Sequence, residues 1–168
     1  MSEFVSFGQL NIKTTETPAE VIYFFRGDVD EHFRQQDVPR IQRDLITLEL
    51  KEMNHFNSSG VREWVSFLGD LQRGGATVFK NCSITMIDQI NMVPESLGAG
   101  RIHSFFAPYF CKCSGEKNQL IDIAEHRSKI NNRLAPEIAC DTCGEPMEFD
   151  ALEESYFLFA EKECLLTG

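Results

Sequence analysis

Four cysteines constrain this chain more than any other feature. Cys111 and Cys113 stand in Phe110-Cys111-Lys112-Cys113-Ser114-Gly115, and Cys140 and Cys143 in Ala139-Cys140-Asp141-Thr142-Cys143-Gly144. Two close pairs, each followed by a glycine and separated by a polar stretch, match the needs of a tetrahedral Zn²⁺ site. Each pair forms a tight turn that aims two thiolates at one point, and the glycine lets the chain turn away. The first pair is C-x-C and needs a tighter turn than the C-x-x-C of the second. The same spacing could serve a disulfide frame in a secreted chain, or a redox motif at a strand-to-helix junction. Nothing here points to secretion. The second pair follows Pro136 and precedes Pro146-Met147-Glu148-Phe149, which reads as a strand. Structural zinc is therefore the expectation. His126, between the pairs, is a reserve ligand. Cys82 and Cys164 are isolated beside apolar residues and read as small buried hydrophobes.

The chain of 168 residues is long enough for one ordinary domain and a small appendage. Met1-Ser2-Glu3-Phe4 lacks the basic start and apolar run of a signal peptide, and no apolar stretch approaches the length of a membrane span. With unpaired thiols, this predicts a reducing cytoplasm and no membrane. A formal net charge of −10 opposes nucleic-acid binding through the whole surface. Glu145, Glu148, Asp150, Glu153 and Glu154 flank the second cysteine pair, and an acidic ribbon reads as a structural lid or protein-binding module, not a nucleic-acid binder.

The pattern changes near residue 108. Before it, strand and helix signals alternate. Strands are predicted over 10–13, 20–25, 45–50, 76–79 and 101–106, and helices over 29–41, 60–71 and from 84 toward Pro94. Val61, Trp64, Val65, Leu68 and Leu71 recur at helical spacing before Gly74-Gly75. This gives an α/β layer with a mixed sheet over 1–107. Over 108–168 the expectation is a small β zinc ribbon with its own core. Its strands are read at 120–123, 147–149 and 156–159, with an exposed loop over 126–134. Metal would supply much of its folding energy.

Between the strand at 45–50 and the helix at 60–71 lies Asn57-Ser58-Ser59-Gly60. Asn57 or Ser58 can cap the helix, and a phosphate on Ser58 or Ser59 would be tolerated at its N-terminus. Strand, Asn-Ser-Ser-Gly-Val, then amphipathic helix resembles the Asp-Ser-Ser-Gly motif of STAS domains, the anti-sigma-factor antagonists of bacteria. Gly27-Asp28-Val29-Asp30 is similar to that family's acidic segment after its second strand. The resemblance covers roughly 8–106 and implies a STAS-like fold. It implies phosphorylation at Ser59, with Ser58 before it, by a kinase that is also an anti-sigma factor. It places partner binding at Asp28, Asn57 and Gly60. Asn57 departs from the family's aspartate, and the cysteine region stands where the family has a last helix.

No catalytic residue is expected. No Ser-His-Asp spacing, nucleotide-type glycine loop or paired carboxylates are visible. The leading expectation is a bacterial protein–protein interaction module, switched by phosphorylation, with an anti-sigma factor or sensor kinase as partner. Two alternatives stand beside it. One is a small zinc-dependent enzyme, which needs an open ligand position. The other is a nucleic-acid-binding ribbon using Arg127, Lys129 and Arg133.

Overall fold

The structure is a computed structural model that describes residues 2–161; Cys164 lies outside them. Six strands form the first sheet in chain order: β1 (Ser2–Phe7), β2 (Leu10–Glu16), β3 (Glu20–Val29), β4 (Leu45–Phe56), β5 (Ala76–Lys80) and β6 (Arg101–Ile102). β2 is antiparallel to both β1 and β3, and β3 to β6 run parallel. Helix α1 (Ser58–Gly74) joins β4 to β5, and α2 (Ile84–Met92) lies between β5 and β6. The expected α/β class with a mixed sheet is what forms. The alternation read from the sequence is the cause: Leu10, Ile12, Val21, Tyr23, Phe25, Ile46, Leu48 and Leu50 are all buried at period two. Against them α1 lays Trp64, Phe67, Leu68 and Leu71, four buried residues on one helical face. Trp64 meets Phe25 edge-on at 5.1 Å, and its indole N–H donates to the Ser96 carbonyl at 2.9 Å.

The helix expected over 29–41 does not form. Residues 30–44 hold only a 3-10 turn at Gln35–Asp37. Phe33 and Val38 are the buried residues of this stretch, a spacing that one helical face does not give. Pro39 removes a donor and pushes Val38 to ψ 127°. The loop is instead tied down by Tyr23, whose hydroxyl donates to the Pro39 carbonyl at 2.7 Å and accepts from Ile41 N–H at 3.3 Å.

The second sheet has the order β8-β7-β9, from β7 (Ser104–Cys111), β8 (Gly115–Asp122) and β9 (Glu148–Phe149). The strand expected over 101–106 is therefore two strands, and the boundary placed at 107/108 falls inside β7. The start of β7 still belongs to the α/β layer: Cys82 N–H donates to the Ser104 carbonyl and Phe106 N–H to the Cys82 carbonyl, at 3.0 and 2.8 Å. The strand expected over 120–123 is the end of the longer β8. The loop expected over 126–134 begins as a helix, α3 (Ile123–Asn131), capped by the Asp122 carboxylate, with Ile123 and Ile130 buried one heptad apart. The strand expected over 156–159 is also helical, as α4 (Glu153–Tyr156) and a 3-10 turn at Phe157–Phe159. Tyr156, Phe157 and Phe159 are all buried, which strict alternation cannot achieve.

The expected separate cores are absent. Buried side chains from Leu10 to Ala160 form one cluster. Phe105 at the start of β7 meets Phe159 at 5.1 Å and Phe157 at 6.1 Å. Asn91 of α2 donates to the Tyr156 carbonyl and accepts from Phe159 N–H, at 2.8 and 2.9 Å. Residues beyond 108 are thus packed onto the α/β layer. No helix among the described residues is long and apolar enough to cross a membrane.

Candidate metal centre and helix-start loop

The two cysteine pairs meet. Cys111 closes β7 and Cys113 sits in the turn to β8, where Gly115 takes φ +73°. The second pair occupies a turn closed by the Ala139–Pro146 bridge, with Cys140 N–H donating to the Glu145 carbonyl and Gly144 N–H to the Cys140 carbonyl, both at 2.8 Å. Gly144 has φ +75°, a conformation that favours glycine. The sulfurs of Cys111 and Cys113 are 3.4 Å apart, those of Cys111 and Cys143 3.5 Å, and those of Cys113 and Cys140 3.6 Å. All four ligand atoms lie within 4.8 Å of one another. A disulfide needs about 2.05 Å. A tetrahedron with metal–sulfur bonds of about 2.3 Å has edges of about 3.8 Å. The cluster fits a four-thiolate metal site, and it leaves no open ligand position.

The surroundings favour the thiolate at Cys111 and Cys140 and disfavour it at Cys113 and Cys143. The Ser114 hydroxyl, then the backbone N–H groups of Cys143 and Thr142, bring the Cys140 thiol down to about 5. The Cys113 backbone N–H lowers Cys111. Lys117 on β8 donates to the Asp141 carboxylate at 2.6 Å and pins the second knuckle to the hairpin. Cys111 and Cys140 are buried, whereas Cys113 and Cys143 are exposed. His126 lies on α3 and is not among the clustered ligands. Cys82 is fully buried, and burial pushes its thiol far up, as expected of a core residue.

Beyond the C-terminal end of β4, β3 and the start of α1 converge. Asp28 pairs with His55 and Val29 with Phe56. Asn57 N–H then donates to the Val29 carbonyl at 3.2 Å. Asn57 is the N-cap: its side-chain oxygen accepts from Gly60 N–H at 2.8 Å, and its amide donates to Glu31 at 2.5 Å. Ser58 is therefore not the cap. Ser58 and Ser59 are both exposed, and Gly60 is buried against β3. Replacing Asn57 with alanine should cost about 1 kcal/mol in chemical denaturation. Ser58→Ala should stay within about 0.5 kcal/mol. The reverse order would show that Asn57 is not the cap.

The acidic segment read at Asp28 and Asp30 extends to Glu31 and His32, which the sequence pattern did not mark. Asp30, Glu31 and His32 bring their polar atoms within 4.8 Å of one another. The His32 backbone N–H, at 2.9 Å, holds the Asp30 carboxyl below its ordinary value. Glu31's own backbone N–H, then the Asn57 amide, do the same for Glu31. Both carboxylates stay ionised beside the helix start. Only the unexpected loop over 30–44 could have revealed Glu31, because a helical 29–41 would have spread the two around an axis.

Comparison with known proteins adds no relative: no family model matches the chain, and no curated protein matches it.

Proposed function

We propose that this chain is a regulatory docking protein of the STAS type, acting in the cytoplasm of a bacterium. In this reading the start of α1 is the docking face, Ser59 is its switch, and the four cysteines hold one structural zinc ion. The observation that carries the reading is the exposed Ser59 at the second position of a 17-residue helix, directly beside the Asp28 end of β3. A phosphate there would be favoured by the helix dipole. It would also add about two negative charges to a border that already holds ionised Asp30 and Glu31, so a partner that reads this face would meet a changed potential. The partner class is an anti-sigma factor or sensor kinase.

The metal reading rests on an all-sulfur shell, which selects soft or borderline ions such as zinc. Protein purified without added metal should carry about one equivalent of zinc. Full reactivity of all four thiols in the native protein would contradict this. A closed shell also disfavours the zinc-enzyme alternative. The nucleic-acid alternative is disfavoured by charge pairing, since Lys129 is 3.5 Å from Glu137 and Arg133 is paired with Glu161.

The docking reading is tested in the native host. Phosphopeptide mass spectrometry should find Ser59 modified, and capture with wild type and Ser59→Ala should recover a partner that Ser59→Glu does not. An unmodified Ser59 with unchanged capture by both variants would leave this loop as a plain helix cap.

A further inference from the structure

A cavity of about 260 Å³ lies between the last strands of the first sheet and α3. It touches neither the cysteine cluster nor the Ser59 loop. Val78, Arg101, Ile102, His103, Ile123 and Arg127 line it. Val78 stands between buried Thr77 and Phe79 on β5, and Phe79 packs edge-on against Trp64 of α1. By strand alternation, the cavity opens on the sheet face away from α1.

Its charge is unusual for this molecule. The formal net charge is −10, and Arg26, Arg40, Arg43, Arg73 and Arg133 each meet a carboxylate. Among the described residues Arg34, Arg62, Arg101 and Arg127 meet no carboxylate, and of these Arg101 and Arg127 reach one cavity from two separate elements, β6 and α3. His103 joins them, with its Nε2 at 3.7 Å from Asp122. The backbone donors at the start of α3 are already used: Ile123 N–H goes to the His103 carbonyl at 3.0 Å, and Ala124 N–H to the Asp122 carboxylate at 2.8 Å. The positive character therefore comes from the guanidinium groups and not from the helix end.

We propose that this cavity binds a small phosphate monoester. Two guanidinium groups carry two positive charges, which the near-dianionic charge and three terminal oxygens of a phosphate ester match, whereas a carboxylate brings one charge and two oxygens. Val78 and Ile123 give an apolar wall for the organic part. That part is small, because pockets for drug-sized ligands start at about 300 Å³. The bound ester would tie α3 to the edge of the first sheet.

The test uses the full chain and phenyl phosphate as probe, read by titration calorimetry and by amide chemical shifts. Saturable binding is expected, with shifts concentrated at Val78, Ile102 and Ile123. Arg101→Gln and Arg127→Gln should each weaken it by about tenfold or more, as loss of a charge-assisted contact does, and Lys129→Gln should not. Benzoate should bind more weakly than phenyl phosphate. Both arginines are on the surface, so the variants should fold, and the shift map of the wild type is an independent reading. Absence of saturable binding in the millimolar range would overturn the proposal. Shifts centred elsewhere, affinity unchanged in both arginine variants, or benzoate binding as tightly as phenyl phosphate would also overturn it.

Discussion

Cys140→Ser is expected to abolish metal binding at the four-cysteine cluster and to destabilise the whole protein in a single cooperative transition. Apparent binding free energies of structural zinc in small domains are about 10–16 kcal/mol, so loss of one ligand should cost on the order of 3 kcal/mol or more. At this chain length that lowers the midpoint of thermal unfolding by roughly 6–12 °C. The single transition follows from the packing. The second knuckle leads into β9, and Phe149 of β9 meets Tyr109 at 5.5 Å and Phe157 at 5.4 Å. Phe157 packs on Phe105, which stands beside the Cys82 strand end of the α/β layer. Loss of amide-exchange protection should therefore spread past residue 108 to α2. Two separate transitions, with the α/β layer unaffected, would show that the cores are independent after all. Chelation of the wild type should reproduce the effect of the substitution.

Gly60→Ala should be the most damaging conservative change near the start of α1. A Cβ at position 60 would lie 1.9 Å from the Val29 carbonyl oxygen and 2.8 Å from Asp30 N. Both are backbone atoms of the neighbouring segment and cannot rotate away. Helix α1 would have to withdraw from β3, opening the Asn57 cap and the Trp64–Phe25 contact together. A loss of about 3 kcal/mol or more is expected from overpacking of this kind. Gly69 on the same helix is the control. A Cβ there meets nothing within 4 Å, so Gly69→Ala should stabilise by about 0.5–1 kcal/mol through helix propensity. Equal effects of the two substitutions, measured by denaturant titration, would contradict the close approach of α1 to β3.

The parts of the molecule that were legible in the sequence are those with strong local signals. Period-two burial marked β2, β3 and β4, and helical spacing from Val61 to Leu71 marked α1. The cysteine pairs announced their own convergence because each carries its turn residue with it. Elements decided by tertiary contact were not legible. Strand β1 has a mostly exposed pattern, with Phe4 65% exposed, and is held by its ladder to β2 instead of by burial. Residues 30–44 have helix formers but are claimed by Tyr23 and Pro39. Tyr156 to Phe159 have strand-like side chains, yet one helical turn buries three of the aromatics at once. The cap also depended on geometry: Asn57 and Ser58 are equally good caps by type, and Asn57, anchored by its N–H to the Val29 carbonyl of β3, is the one that faces Gly60 N–H.

The central claim is that the Ser59 end of α1 is a switchable docking face. Its most direct test is the equilibrium affinity of the partner recovered with wild type, measured for wild type, Ser59→Ala and Ser59→Glu at one fixed ionic strength. Ser59→Ala should bind like wild type, and Ser59→Glu should bind about tenfold or more weakly, the effect of a like charge added to an electrostatic interface. Salt should shrink that difference. Equal affinity of Ser59→Glu and wild type would contradict the claim.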